Sequence, residues 1–367
     1  MSNITNGSVC PNDLDGLCDF IFMFKSPENG VAYLRNGKVS DIWFSIVGII
    51  VSIIGSVSII GNLGIFFILC GTFKSKRSRF LNLNLLSLTI SDLGMCSSVL
   101  PFVVHSSVNR GWKLGVHGCK VDGFLGGFFA FLQLNTLCEI AIQRYLGVKS
   151  LNANAKRRAG LYRLALVWAI SALIAALPLF GFGRFMLEGI GVSCTFNYIE
   201  KDTVNLLFVV SINVVEFFVP CTIIICSYVG TMKVCETSRC DLEQISMVER
   251  HRIIFKRRER RLAKICVTSV ACFVVSWAPY STMSLLMVFT NVHVPHLFAS
   301  IAACIAKMST AVNGTIYVVN HQDFQKSLRR YIPCFSGVIQ DSNNFTSIER
   351  RPSSRCRGKT AVTSLQR

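Results

Sequence analysis

The chain has 367 residues, 51% of them hydrophobic and 16% charged, with a formal net charge of +18 and a mean hydropathy of +0.48. Soluble domains carry about 25% charged residues, so the composition argues against an ordinary soluble enzyme and for a chain that crosses a bilayer. The charge could point to nucleic acid, but that reading fails because the basic residues collect in short loops between apolar runs. Sixteen cysteines are scattered along the chain without metal-type CxxC spacing, and most read as small apolar side chains.

In chain order, residues 1–42 form a polar outer segment without the early apolar core of a signal peptide, so the first span is expected to serve as the insertion signal. Asn3 and Asn6 open glycosylation sequons there, and Cys10 and Cys18 are a candidate pair. Seven apolar runs follow, near 43–70, 81–104, 119–145, 161–181, 204–230, 264–290 and 296–319. Each meets the roughly 20-residue length of a bilayer span. The fold class is therefore all-α, a seven-transmembrane helix bundle over 43–319. Basic residues follow the first, third and seventh runs, and a dense stretch from Arg250 to Arg261 precedes the sixth. This places the N-terminus outside and the C-terminus inside. Residues 320–335 are expected to lie on the inner membrane surface, with Phe324, Leu328 and Tyr331 at helical spacing beside Lys326, Arg329 and Arg330. Cys334 is a palmitoylation candidate or an idle cysteine. The tail 336–367, rich in Ser, Thr and Arg, is expected to be disordered.

Lys307 is the most informative residue. It sits in the middle of the seventh run, within Ala302-Ala303-Cys304-Ile305-Ala306-Lys307-Met308. A lysine there costs about 2.5–3.5 kcal/mol on insertion scales. Either interface is roughly 15 Å away at 1.5 Å per residue, too far for easy snorkelling. Three roles compete: an ion-paired structural lysine, a lysine on a substrate or ion pathway, and an amine that condenses with a carbonyl.

The surrounding motifs resemble the rhodopsin-like class of G-protein-coupled receptors over about residues 43–335. They are Gly61-Asn62, Leu85-Leu86-Ser87-Leu88 with Ser91-Asp92-Leu93, Cys119, Gln143-Arg144-Tyr145, Trp168, Pro220 with Tyr228, Ser276-Trp277-Ala278-Pro279-Tyr280 and Asn313-Gly314-Thr315-Ile316-Tyr317. Within that class the chain resembles an animal opsin. Lys307 lies six residues before Asn313, Gly181 to Ile190 resembles the opsin loop over the chromophore, and Cys119 to Phe124 resembles the opsin start of the third helix.

The resemblance implies retinal held as a protonated Schiff base on Lys307, 11-cis in the dark and all-trans after light. It also implies a disulfide between Cys119 and Cys194, and a counterion at Asp122 or Glu188. Both acids are present, and we expect Glu188 to lead with Asp122 coupled to it, titrating as a unit. Trp277, Tyr280, Phe273 and Phe217 are the implied pocket aromatics, although an aromatic stripe alone is ordinary core. Glu216, one turn before Pro220, either tunes absorption from the ring end or makes a structural hydrogen bond; a buried acid there is costly. Asn62, Asp92 and Asn313 resemble a bistable polar network.

At the inner end, Arg144 and Tyr145, with Tyr228 and Tyr317, resemble the G-protein-coupling elements, and Glu259 is a candidate partner for Arg144. Gln143 replaces the usual acid, which implies higher dark activity; Glu139, one turn earlier, is a candidate substitute. Gly314 replaces the usual proline, so the seventh helix is expected to lose its kink there. The implied partners are a heterotrimeric G protein, arrestin and a receptor kinase, in a plasma or photoreceptor membrane. A retinal photoisomerase and a receptor for a diffusible ligand are the alternatives; no hydrolytic constellation is visible.

Overall fold

A computed structural model describes residues 39–72, 76–149, 153–237, 247–290, 292 and 294–320, together with two short strands, β1 (Phe22–Phe24) and β2 (Ala32–Leu34). Asn3, Asn6, Cys10, Cys18, Cys334, the amphipathic stretch and the tail lie outside the described residues, as do the side chains of Glu259 and Tyr317. Seven helical stretches among the described residues are long and apolar enough to cross a membrane: 41–70, 83–108, 115–147, 158–180, 203–234, 267–289 and 296–314. The seven expected spans are therefore present, with ends shifted by a few residues. Beyond the all-α expectation, β1 pairs antiparallel with β2.

The first span is α1 (Asp41–Thr72) and the third is α4 (Gly115–Lys149). The second joins α2 (Lys76–Gly94) through a π turn, Met95–Val99, to α3 (Leu100–Val108). The fourth is α5 (Ala153–Ala176), closed by a 3₁₀ turn at Leu177–Phe180. The fifth joins α6 (Thr203–Asn213) through a second π turn, Val214–Phe218, to α7 (Val219–Thr237). The sixth is α8 (Met247–Phe289), with Pro279 inside it. The seventh is α9 (His296–Lys307) followed by α10 (Ser309–Asn320).

Apolar side chains serve two surfaces. Ile42, Ile49, Ile53, Ile60 and Phe67 on α1 face outward and are exposed, as are Leu166 and Leu173 on α5. Such faces suit lipid, where backbone groups must be paired within the helix. The inward faces build a core in which α4 is central, with Leu132, Leu134, Leu137 and Ile140 fully buried.

The seventh span is interrupted at Met308, while α10 runs on unbroken through Gly314, where the missing proline implied no kink. Met308 N donates to both Cys304 O and Ile305 O. The Ser309 hydroxyl donates to Ala306 O at 2.8 Å and the Thr310 hydroxyl to Lys307 O at 2.9 Å. Hydroxyls that compete for helix carbonyls loosen the ladder locally, so the break falls beside Lys307.

Between the fourth and fifth spans a hairpin of β3 (Phe185–Glu188) and β4 (Ser193–Phe196) folds into the bundle, with Glu188 opposite Ser193. Cys194 is disulfide-bonded to Cys119 at the outer end of α4, as expected. The tip turns at Gly189, whose φ is +57° and where a Cβ would lie 2.1 Å from Ser300 Oγ. That position needs glycine both for its backbone and for its space. Ile190 N donates to Ser300 Oγ at 2.9 Å, which ties the tip to α9. At the outer rim Arg184 pairs with Glu200.

On the other flank, a Cβ at Gly127 of α4 would lie 2.4 Å from the Phe196 ring. Gly127→Val should therefore overpack the hairpin against α4, costing about 1–3 kcal/mol. We expect a thermal unfolding midpoint several degrees lower in detergent; an unchanged midpoint would show that the hairpin yields freely.

Candidate functional site

The hairpin roofs a cavity bounded by the second, third, fifth, sixth and seventh spans. Each interruption of helical geometry meets it. Met95 and Val99 of the first π turn, Glu216 and Phe217 of the second, and Lys307 at the end of α9 all line the wall. Local π geometry often marks functional positions, because it rotates side chains that a regular helix would aim elsewhere.

Lys307 enters from the seventh span. Its amine makes no ion pair or hydrogen bond among the described residues. The ion-paired structural role thus finds no partner, and the amine is left facing the cavity.

Two acids lie within its electrostatic reach, Glu188 and Asp122. Glu188, 2% exposed, also lines the cavity. Burial pushes its carboxyl up, while the Lys307 ammonium, the nearby Tyr280 hydroxyl and the Ser193 hydroxyl act against that shift. Ser193 Oγ donates to Glu188 Oε2 at 3.3 Å, and Oε1 is buried without a hydrogen-bond partner. Asp122 is fully buried behind the hairpin, where its Oδ2 accepts from Cys194 N at 2.7 Å. Its Oδ1 also lacks a partner. Asp122 therefore holds the hairpin, and Glu188 stands on the cavity wall.

Aromatic side chains form the middle. Trp277 stacks on Phe273 with centroids 5.6 Å apart and meets Tyr280 edge-on at 5.9 Å. The Tyr280 and Thr195 hydroxyls share a hydrogen bond of 2.5 Å. Phe131, Phe196 and Tyr198 join this wall, and none of the three was singled out from sequence. On the fifth span Glu216 is buried, and its Oε2 accepts from Asn135 Nδ2 at 2.6 Å.

A polar chain descends from the cavity floor. Trp277 Nε1 donates to Ser309 Oγ at 3.3 Å, Ser309 Oγ donates to Gln133 Oε1 at 3.2 Å, and Gln133 Nε2 donates to Asp92 Oδ1 at 2.7 Å. Asn313 lies beside Asp92. Asn62, expected in the same network, instead donates to Ser58 and to Thr310 O at 3.2 Å. Gln133, Ser309 and Asn135 escaped the sequence reading, although a carboxamide inside an apolar span is itself a signal.

Toward the C-terminal end of α4, Arg144 is 5% exposed and donates to Gln143 Oε1 at 3.0 Å. The Tyr145 ring lies over Gly230 of α7, two residues beyond the half-buried Tyr228. One expectation is corrected. Glu139 does not stand in for the missing acid at position 143; it forms a two-pronged ion pair with Arg163 of α5, at 2.7 and 3.1 Å. One helical turn rotates Glu139 toward the fourth span, where a planar guanidinium matches both oxygens.

Comparison with known proteins agrees with this architecture. Residues 61–317 match the 7 transmembrane receptor (rhodopsin family). The chain is 32% identical over 308 residues to the GQ-coupled rhodopsin of Mizuhopecten yessoensis, covering 80% of this chain and 61% of that protein. It is 28% identical over 305 residues to the melanopsin of Rutilus rutilus, covering 80% and 60%. The chain thus spans about six tenths of the length of these relatives. The crystal structure of squid rhodopsin superposes with a TM-score of 0.75 at 25% identity, covering 91% of this chain and 95% of that one. A family match over most of the chain, together with this fold, makes the protein a member of the rhodopsin family of seven-transmembrane receptors.

Proposed function

We propose that this chain is a light-sensing receptor for a heterotrimeric G protein, with Lys307 as the attachment point of retinal. The observation that carries the proposal is a lone amine facing a roofed cavity, with two buried carboxylates in electrostatic reach. Retinal, held on Lys307 as a protonated Schiff base, supplies the absorption of light and the change from 11-cis to all-trans.

The residues fit such a group. Glu188 Oε1 and Asp122 Oδ1 are buried oxygens without partners, which is costly unless a positive charge or donor meets them. Glu188 is the principal counterion in this reading, because it stands on the cavity wall. Asp122 is committed to Cys194 N and acts from behind. The hairpin excludes water, so the charges act at low dielectric. Trp277 closes the floor and is hydrogen-bonded through Ser309 and Gln133 to Asp92. Displacing the Trp277 ring would break the first bond of that chain and bias the packing of the sixth span against the seventh. Glu216 adds a carboxyl to the fifth-span wall, where it would tune absorption.

The inner surface would engage the G protein through Arg144, Tyr145 and Tyr228, with Glu259 as restraint. Gln143 offers Arg144 a neutral acceptor where a glutamate would form an ion pair. Serines and threonines beyond residue 336 would serve a receptor kinase and then arrestin. The termini lie outside and inside a plasma or photoreceptor membrane, respectively, by the basic loops.

Three outcomes test this reading. Incubated with 11-cis-retinal, the protein should develop a visible band that Lys307→Ala abolishes; a band that survives would move the attachment elsewhere. Glu188→Gln should move the band into the ultraviolet at neutral pH, because the positive charge on the Lys307 nitrogen loses its carboxylate. Asp122→Asn should shift it less; the reverse order in a spectral pH titration would make the third-span acid principal. Gln143→Glu should add an ion pair worth about 1 kcal/mol, reducing dark nucleotide exchange roughly fivefold, and equal dark rates would show that position 143 is no latch.

A further inference from the structure

At the fifth-span side of the cavity the wall is polar without any apparent need. Asn213 and Glu216 of the fifth span and Ser281 and Ser284 of the sixth all face it. All four are at most 9% exposed. Burying such groups inside a bilayer is unfavourable unless each finds a partner, and a purely hydrocarbon ligand end would offer none.

Their hydrogen bonds leave mostly acceptors unused. Ser281 Oγ donates its proton to Asn213 Oδ1 at 2.5 Å. Ser284 Oγ donates to Ser281 O at 2.9 Å, and Asn213 Nδ2 to Val209 O at 2.9 Å. Asn135 supplies Glu216 Oε2, whereas Oε1 has no hydrogen bond among the described residues. Lys307 acts on Asp122, Glu188 and Cys304. Glu216, on the fifth-span side, has Asn135 as its polar partner instead. A ligand joined to Lys307 by its aldehyde would present its ring to this far wall.

We infer that the fifth-span wall is a recognition site for a hydroxyl group, and that the aldehyde this protein prefers is a retinal whose ring carries one. The inference rests on the retinal reading and deepens it. A ring hydroxyl donates to Glu216 Oε1 if the carboxyl is ionised and accepts from it if neutral, so either protonation state is served. A site built around such a bond favours the aldehyde that makes it over the analogue that lacks it, because Glu216 Oε1 has no other hydrogen bond among the described residues.

The test is competition for the full-length protein between equal, excess amounts of 11-cis-retinal and its ring-hydroxylated counterpart. The dark spectrum is recorded, and the bound aldehyde is then released and separated chromatographically. We expect the hydroxylated form to be taken up about tenfold or more in preference, with Glu216→Gln retaining the preference and Glu216→Leu losing it. Ser281→Ala should weaken it without loss of pigment, which covers the case of a Leu variant that does not fold. Equal uptake by the unaltered protein, or preference for the unsubstituted form, overturns the inference and leaves the photoreceptor reading intact. No pigment with either aldehyde overturns the photoreceptor reading itself.

Discussion

An amine in the middle of a bilayer span is the constraint around which the rest is arranged. Lys307 sits too deep for its side chain to reach either interface with ease, and the bundle gives it no ion-pair partner among the described residues. Two carboxylates are buried within its field instead, each with an oxygen left open. Such an arrangement is poor for stability, since unpaired buried polar groups cost free energy. It is well suited to holding a cation whose charge must survive in an apolar site. The hairpin serves the same end. Its disulfide to Cys119, its contact with Ser300 and the Asp122 bond to Cys194 N all pin Glu188 in place.

Helical irregularity gathers around that amine. The π turns at Met95–Val99 and Val214–Phe218 and the interruption at Met308 each fall where the wall is formed. Regular helices would have sent some of these side chains toward lipid or into packed core. From the floor, the chain through Trp277, Ser309, Gln133 and Asp92 links four spans by polar contacts. In hydrocarbon such bonds have few competitors, so breaking one is felt by the helices it joins. A displacement at the cavity floor is therefore felt by all four helices of that chain.

Away from the cavity, an ion pair joins Glu139 to Arg163 and fixes the third span to the fourth. Arg144, further along α4, is hydrogen-bonded to the carboxamide of Gln143.

Much of this was legible in the sequence. Seven apolar runs gave seven spans because helix length and bilayer thickness leave little choice. Lys307 stood out because a charge in such a run is expensive wherever the helices pack. Cys119 with Cys194, Glu188, Trp277 and Tyr280 were found through motif resemblance. The tertiary structure decided what depends on rotation about a helix axis and on neighbours distant in sequence. It turned Glu139 to Arg163 rather than Arg144, brought Gln133 and Ser309 between Trp277 and Asp92, and placed an interruption of the seventh span at Met308. It also gathered Asn213, Glu216, Ser281 and Ser284 on one wall. A residue's burial cost can be read locally, but its partner is fixed by which faces meet when seven helices pack, and no single segment carries that information.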